Sequence, residues 1–343
     1  MIRHACTSVM NRRTFLGGSI ALGALATPNA TTAQPGRKIA RIGILSFAGT
    51  AAEITGPDPV RPSVKALLMG LHKLGYVYGR DFVTVPRGGA GRPELWPAQV
   101  ADLVGSSVDV IVAPGPMIST VKQATTTVPI VMAGASDPVG DGYVRSLSRP
   151  GGNVTGLSLQ EFDTVGKRLE LLKELVPSSG PVGVLWNNWR AESIRYWQVA
   201  ETAAQKRGWK VLKLEVREAR EIEGAFKAAV DARASGLLMI ASRPFFGRAA
   251  ELAELAVRSR LPVMYDLADY VEAGGLISYG ADVVDLWRRA AEYVDKILKG
   301  TKPSDLPVEQ PSKFELVINR RAAAASRLTI PPSLLARADE VID

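Results

Sequence analysis

Cysteine and histidine are almost missing from this chain of 343 residues: one Cys and two His in all. Cys6 and His4 both fall within the first 33 residues, and His72 sits mid-helix in LLMGLHKLG, reading as a surface residue. One histidine and no cysteine cannot build a Ser-His-Asp or Cys-His arrangement. They also cannot supply a zinc or redox centre, so no metal is expected. Both common nucleotide cradles are missing: there is no G-x-x-x-x-G-K-[ST] loop and no G-x-G-x-x-G after a strand. GLSLQ (156–160) departs from G-x-S-x-G at its last position and has no histidine partner. Paired carboxylates remain available for acid–base chemistry, because aspartates are plentiful. The weight of these absences is against an enzyme and against a bound cofactor.

Dense basic runs are missing too. Lys and Arg are scattered without interleaved aromatics, so no nucleic-acid partner is expected. The strongest apolar run, FLGGSIALGALA (15–26), is too short to span a bilayer. It follows Arg3, Arg12 and Arg13 with no acidic residue among them, and small residues follow it up to Ala33. That order describes a secretory leader cleaved near Ala33, with a periplasmic destination. NRRTFLG (11–17) is similar to the twin-arginine export motif, and the general export route stays open. Cys6 precedes the apolar run, so it is not a lipoprotein cysteine. Without the first 33 residues the formal charge drops from +8 to +5. The remaining chain has no disulfide partner to form, and its length allows a core that is stable alone.

What is present is an alternation of apolar β-type runs with amphipathic helical stretches from residue 40 onward. ARIGILSF (40–47), DVIVAPG (109–115) and VPIVMAGA (128–135) are continuous apolar runs bounded by glycine or turns. Such runs mark parallel strands buried on both faces in an α/β protein. The scheme then recurs. Gly183 of PVGVLWN falls 140 positions after Gly43, SGLLMIAS answers VDVIVAPG at 127, and Pro262 of RLPVMYD falls 133 after Pro129. Three matches in the same order predict two similarly built Rossmann-like lobes with parallel sheets. In DVVDLWRRAAEYVDKILKG, Val283, Leu286, Trp287, Ala290, Val294, Ile297 and Leu298 share one helical face, and Gly300 supplies the stop.

Open α/β sheets bind ligands at the C-terminal ends of their strands. Those ends select Ser46, then Gly115, Pro116 and Met117 where a helix opens, then Asp137 in SDPVG. The second half offers Asn187, Arg243 and Asp266, with Tyr279 as a further candidate. Each residue type is also common in caps and turns. Their recurrence at equivalent ends of both halves predicts two facing walls of one cleft for a small solute.

Several segments resemble one family as they stand: VPIVMAGASDPVGDGYVRSLSRPGGNVTGLS (128–158), GKRLELLKELVP (166–177) and VEAGGLISYGAD (271–282). The closing IPPSLLARADEVI (330–342) adds to them. They resemble the ABC-transporter substrate-binding proteins that include tryptophan- and tyrosine-type binders. The resemblance implies a type I periplasmic-binding fold with a three-crossover hinge. It implies a monomer that captures a polar or aromatic solute and delivers it to an ABC-importer permease. The lobes are expected at 37–156 plus about 276–305, and at 157–275 plus about 306–343. Gly151, Gly152 and Asn153, and Gly274 and Gly275, are the expected hinge residues. The family usually shows Gly-Thr after its third strand, where this chain has Gly115-Pro116-Met117, so a hydroxyl contact is lost. A sensor subunit that presents bound solute to a signalling receptor is the alternative reading. A transcription regulator is disfavoured, because residues 1–33 read as a leader.

Overall fold

Two sets of short apolar strands build two separate sheets in the computed structural model, which describes residues 38–343 except Trp189 and Arg190. The expected leader, its cleavage site and its export motif lie outside the described residues. The first sheet contains β1 (Ala40–Ser46), β2 (Phe82–Gly88), β3 (Val110–Ala113), β4 (Ile130–Ala135) and β5 (Val154–Ser158), in the order β2-β1-β3-β4-β5. All of its pairings are parallel. The second contains β6 (Val182–Trp186), β7 (Val211–Glu215), β8 (Gly236–Met239), β9 (Val263–Tyr265), β10 (Ile277–Ala281), β11 (Phe314–Asn319) and β12 (Glu340–Ile342). Its order is β12-β11-β10-β9-β8-β6-β7. Here the expectation of parallel sheets needs correction: β11 runs antiparallel to β10, so this sheet is mixed.

The repeat is physical. The order 2-1-3-4-5 of the first sheet reappears as 7-6-8-9-10 in the second, with β11 and β12 added at one edge. Gly43 and Gly183 occupy matching central strands for the same reason. A Cβ at Gly43 would meet Leu103 at 3.1 Å, and one at Gly183 would meet Leu237 at 2.5 Å. β3, β4 and β5 are buried along their whole length, because helices cover both faces. Pro86 is tolerated in β2 because that strand lies at the sheet edge, where a missing N–H costs no ladder bond.

The helices are α1 (Pro62–Lys73), α2 (Trp96–Gly105), α3 (Gly115–Ala124), α4 (Glu161–Leu175), α5 (Ala191–Gln205) and α6 (Ile222–Asp231). They continue with α7 (Ala249–Ser259), α8 (Ala268–Glu272), α9 (Val283–Leu298), α10 (Arg320–Ala325) and α11 (Pro332–Leu335). α9 carries the expected apolar face and packs on the first sheet, against α1 and β4. Gly70 lets α1 and α9 cross closely, since a Cβ there would come within 2.6 Å of the Arg288 carbonyl oxygen. Among the described residues, no helix is long and apolar enough to cross a membrane.

The path between the sheets moves two expected boundaries. β5 ends at Ser158 in the first sheet, and α4 begins at Glu161 on the second. Residues 277–281 form β10 in the second sheet, so the return to the first comes at Asp282, not near 276. After α9, Glu309 bridges to Leu157 beside the first sheet, and β11 opens the final stretch of the second at Phe314. The glycines expected at the hinge serve turns instead. Gly151, with φ +74°, turns the chain ahead of β5. Asn153 Nδ2 donates to the carbonyls of Thr125 and Val128 near the start of β4. Gly274 has φ +107° in the turn after α8. Gly275 makes room for Tyr265, whose ring would lie 2.6 Å from a Cβ there.

Candidate functional site

A strand end in an open α/β sheet leads straight into a helix start, so each wall of a cleft between two such sheets combines both. The described residues enclose a cavity of about 150 Å³ built in this way. β1 delivers Ser46 and Phe47, and the start of α1 adds Arg61, Pro62 and Ser63. β3 delivers Pro114, Gly115 and Pro116, and β4 delivers Gly134 and Ser136. The second sheet's side supplies Glu161, Ser193, Ala241, Phe246 and the α8 residues Asp269, Tyr270 and Glu272. Val283, Val284 and Trp287, at the start of α9, complete the lining.

Gly115 is required where it stands. A Cβ there would lie 2.7 Å from the Gly134 carbonyl oxygen and 3.0 Å from the Cα of Ala135. That close approach lets α3 start directly over the end of β4. The helix start is poor in donors, however. Pro116 has no N–H, and the Met117 N–H is taken by the Pro114 carbonyl at 3.0 Å. The lining carries four carboxylates, Asp141, Glu161, Asp269 and Glu272, against the single guanidinium of Arg61. Four serines add hydroxyls, and Phe47, Phe246, Tyr270 and Trp287 add aromatic surface. Such a lining suits an amine that lies against rings, with hydroxyls for any further polar group.

Ion pairs made by Arg61 and Arg195 tie the lobes together at and beside this cavity. Arg61 Nη2 lies 2.8 Å from Asp269 Oδ2. Arg195 Nη2, on α5, lies 2.7 Å from Asp137 Oδ2 and 4.0 Å from Asp141 Oδ1. The Arg195 guanidinium also sits 4.9 Å over the Phe162 ring. Phe246, from the second lobe, packs into the core of the first, its ring 5.5 Å from Phe47 and 6.0 Å from Trp96. Nearby, a Cβ on Gly91 would fall 2.5 Å from the Cα of Gly247, so the loops after β2 and β8 touch. The cleft is closed.

Behind the second wall, Arg168 is fully buried; its Nε donates to the Tyr279 carbonyl at 2.6 Å and its Nη1 to the Tyr196 hydroxyl. Asp266 is completely buried near it. Burial pushes the Asp266 carboxyl pKa up, while the charge of Arg168 pulls it back. Burial likewise holds the Tyr270 hydroxyl well above its ordinary value, with Asp266 and Asp269 adding to the effect.

Of the residues expected from strand ends, Ser46, Gly115 and Pro116 line the cavity. Ser46 Oγ also accepts the Gly49 N–H at 3.0 Å. The others lie outside its lining. Met117 is wholly buried in the first lobe's core. Asp137 is held by Arg195 between the lobes and is not part of the cavity lining. Asn187 and Arg243 line a second cavity of about 570 Å³, and Phe246 stands between it and the first, lining both. Asp266 lies behind the wall, and the Tyr279 ring stacks on Phe314 at 6.1 Å. Arg61, Glu161, Tyr270, Phe246 and Trp287 were not anticipated. Glu161, Tyr270 and Trp287 sit in the helices that directly follow β5, β9 and β10, so reading on from each strand end into the next helix finds them, whereas Arg61 stands 15 residues after β1. Phe246 carries no such signal. Among the described residues, no group of three or more His, Cys, Asp or Glu could hold a metal ion.

Comparison with known proteins supplies an independent view. Residues 57–342 match the family described as "ABC transporter substrate binding protein". The crystal structure of an ABC domain in complex with L-Trp from Streptococcus pneumonia is 27% identical. It superposes with a TM-score of 0.78 over 89% of this chain and 100% of that one. A conserved domain protein from Vibrio cholerae is 28% identical, with a TM-score of 0.77 and the same shares covered. A tyrosine-binding protein of Clostridioides difficile is 28% identical over 209 residues, 60% of this chain. That match spans 58% of the relative's own length.

Proposed function

The chain belongs to the ABC transporter substrate-binding protein family, and from that premise we propose that it captures a small, amino-acid-like solute outside the cytoplasm and passes it to an importer permease. It is a binding protein, not an enzyme. The observation that carries the reading is the closed cavity between the C-terminal ends of two equivalent sheets, with carboxylates, hydroxyls and aromatic rings facing inward. The relatives whose names mention L-Trp and tyrosine make an aromatic amine-bearing solute the first class to test. The missing donors at Pro116 argue that a carboxylate, if the solute has one, is held by serine hydroxyls and not by the start of α3.

Closure is the working motion. The hinge consists of the three passages between lobes: Leu159–Gln160, Asp282 and residues 310–313. Gln160 adopts φ +50°, a conformation uncommon for a side-chain-bearing residue, at the first of them. A solute shifts the open–closed equilibrium only through its higher affinity for the closed state. A micromolar solute supplies roughly 8 kcal/mol at standard state. That exceeds the few kcal/mol by which two hinge states of one protein typically differ.

The test is native mass spectrometry of the purified protein for co-purified solute, followed by thermal-shift screening against amino acids, aromatic acids and nucleosides. An amino acid or aromatic amine should raise the melting temperature. If no compound shifts melting at about a hundredfold excess over a micromolar Kd, a gain of roughly 2.7 kcal/mol is missing and the proposal fails.

A further inference from the structure

The second cavity is basic, and it is assembled only when the lobes meet. Arg92 follows β2 in the first lobe, while Arg217, Arg243 and Arg248 follow β7 and β8 in the second. Arg92 and Arg248 come directly after the two glycines that touch across the cleft, Gly91 and Gly247, so closure itself brings these guanidiniums to one cavity. Arg217 is paired with Glu215 at 3.3 Å, and Arg248 with Glu251 at 2.7 Å. Arg92 and Arg243 have no carboxylate partner among the described residues. Asn187 and Asn188 also line the space. Two carboxylates share the lining: Glu218, which is paired with Arg220 at 2.9 Å, and Glu94.

We propose that this interlobe cavity binds a small multivalent oxyanion, of the phosphate, sulfate or dicarboxylate class, as a second ligand distinct from the solute. Guanidinium forks recognise such groups through paired charge-assisted hydrogen bonds. Without an anion, closing brings Arg92 into one cavity with Arg243, and neither has a carboxylate partner among the described residues. With one, those charges converge on a shared partner. The anion therefore favours closure and tightens solute binding, and by reciprocity the solute tightens anion binding. The coupling rests on the reading that the cleft closes on a solute; the anion site itself needs the lobes to meet but no solute.

Inorganic phosphate is titrated calorimetrically into the purified protein without solute, at ionic strength held constant with sodium chloride. Sulfate and succinate follow as parallel arms. Wild type should show saturable binding, and Arg92→Gln/Arg243→Gln should weaken it by about tenfold or more. Both residues are exposed, so the double variant should keep the wild-type melting temperature. Absence of saturable heat with all three anions in the wild type overturns the proposal. So does equal affinity in the double variant, which would place the anion elsewhere, including the first cavity. These readouts stand even if the solute screen finds nothing, so the two proposals fail separately.

Discussion

Phe246→Ala should separate solute binding from folding. Phe246 is 6% exposed, yet its ring neighbours Phe47 and Trp96 belong to the other lobe. Much of its burial is therefore gained on closure. Burying a phenylalanine side chain contributes about 1.5–3 kcal/mol, and each aromatic contact adds roughly 0.5–1.5 kcal/mol. Some of that surface stays covered by Phe245 and its own lobe in any state, so about 2–3 kcal/mol is the share specific to closure. At 1.4 kcal/mol per decade, solute affinity should fall by roughly 30- to 150-fold. The solute-free protein should lose little stability, within about 0.5 kcal/mol, as for a surface substitution. Calorimetric titration with the solute identified by screening reads the first quantity, and urea melts of solute-free protein read the second. Unchanged affinity with a melt destabilised by about 3–5 kcal/mol would refute the reasoning, because that is the behaviour of a permanent core residue.

Other outcomes test neighbouring parts of the account. Arg61→Ala should weaken solute binding about two- to fivefold, and a cycle with Asp269→Asn should give a coupling of about 0.5–1 kcal/mol that fades with salt, since the pair is partly exposed. Gly115→Ala forces a Cβ to 2.7 Å from the Gly134 carbonyl, so stability should drop by about 1–3 kcal/mol and solute affinity with it; wild-type melts and binding would show that α3 can shift freely. Glu315 on β11 titrates at about 7 in the folded protein, raised by burial first and then by Asp282. Its contribution is full below its ordinary value near 4.5 and is lost as pH rises through 7. Glu315→Gln should therefore flatten urea stability between pH 5 and 8 and add on the order of 1 kcal/mol at pH 8, after allowing for solvent screening.

Much of the architecture could be read before any coordinates, because its physics is local. Buried parallel strands must be apolar along their length, so β1, β3, β4, β6, β8 and β9 stand out in the sequence, as does the spacing from Gly43 to Gly183. The family resemblance places residues 306–343, and so β11 and β12, with the second lobe, but their own residues do not. They follow the last helix of the first lobe, and nothing in FELVIN specifies which sheet it joins. The passages between the sheets are hard to read for a related reason. Glycine runs mark turns, and Gly151 and Gly274 do occupy positive φ, but a passage between the sheets needs only a short stretch outside strands and helices such as Leu159–Gln160. At the cavity, the backbone requirement at Gly115 was visible. The side-chain walls were not, because Phe246 enters the other lobe and the direction of Met117 depends on helix phase.

The central claim is that the two lobes close around a small solute, and small-angle X-ray scattering tests it most directly. Profiles are recorded for the solute-free protein and for the protein saturated with the compound found by thermal shift. The account predicts a smaller radius of gyration on saturation, with the saturated profile matching the closed arrangement bridged by Arg61–Asp269 and Arg195–Asp137. Superimposable profiles, with the solute bound, would contradict it.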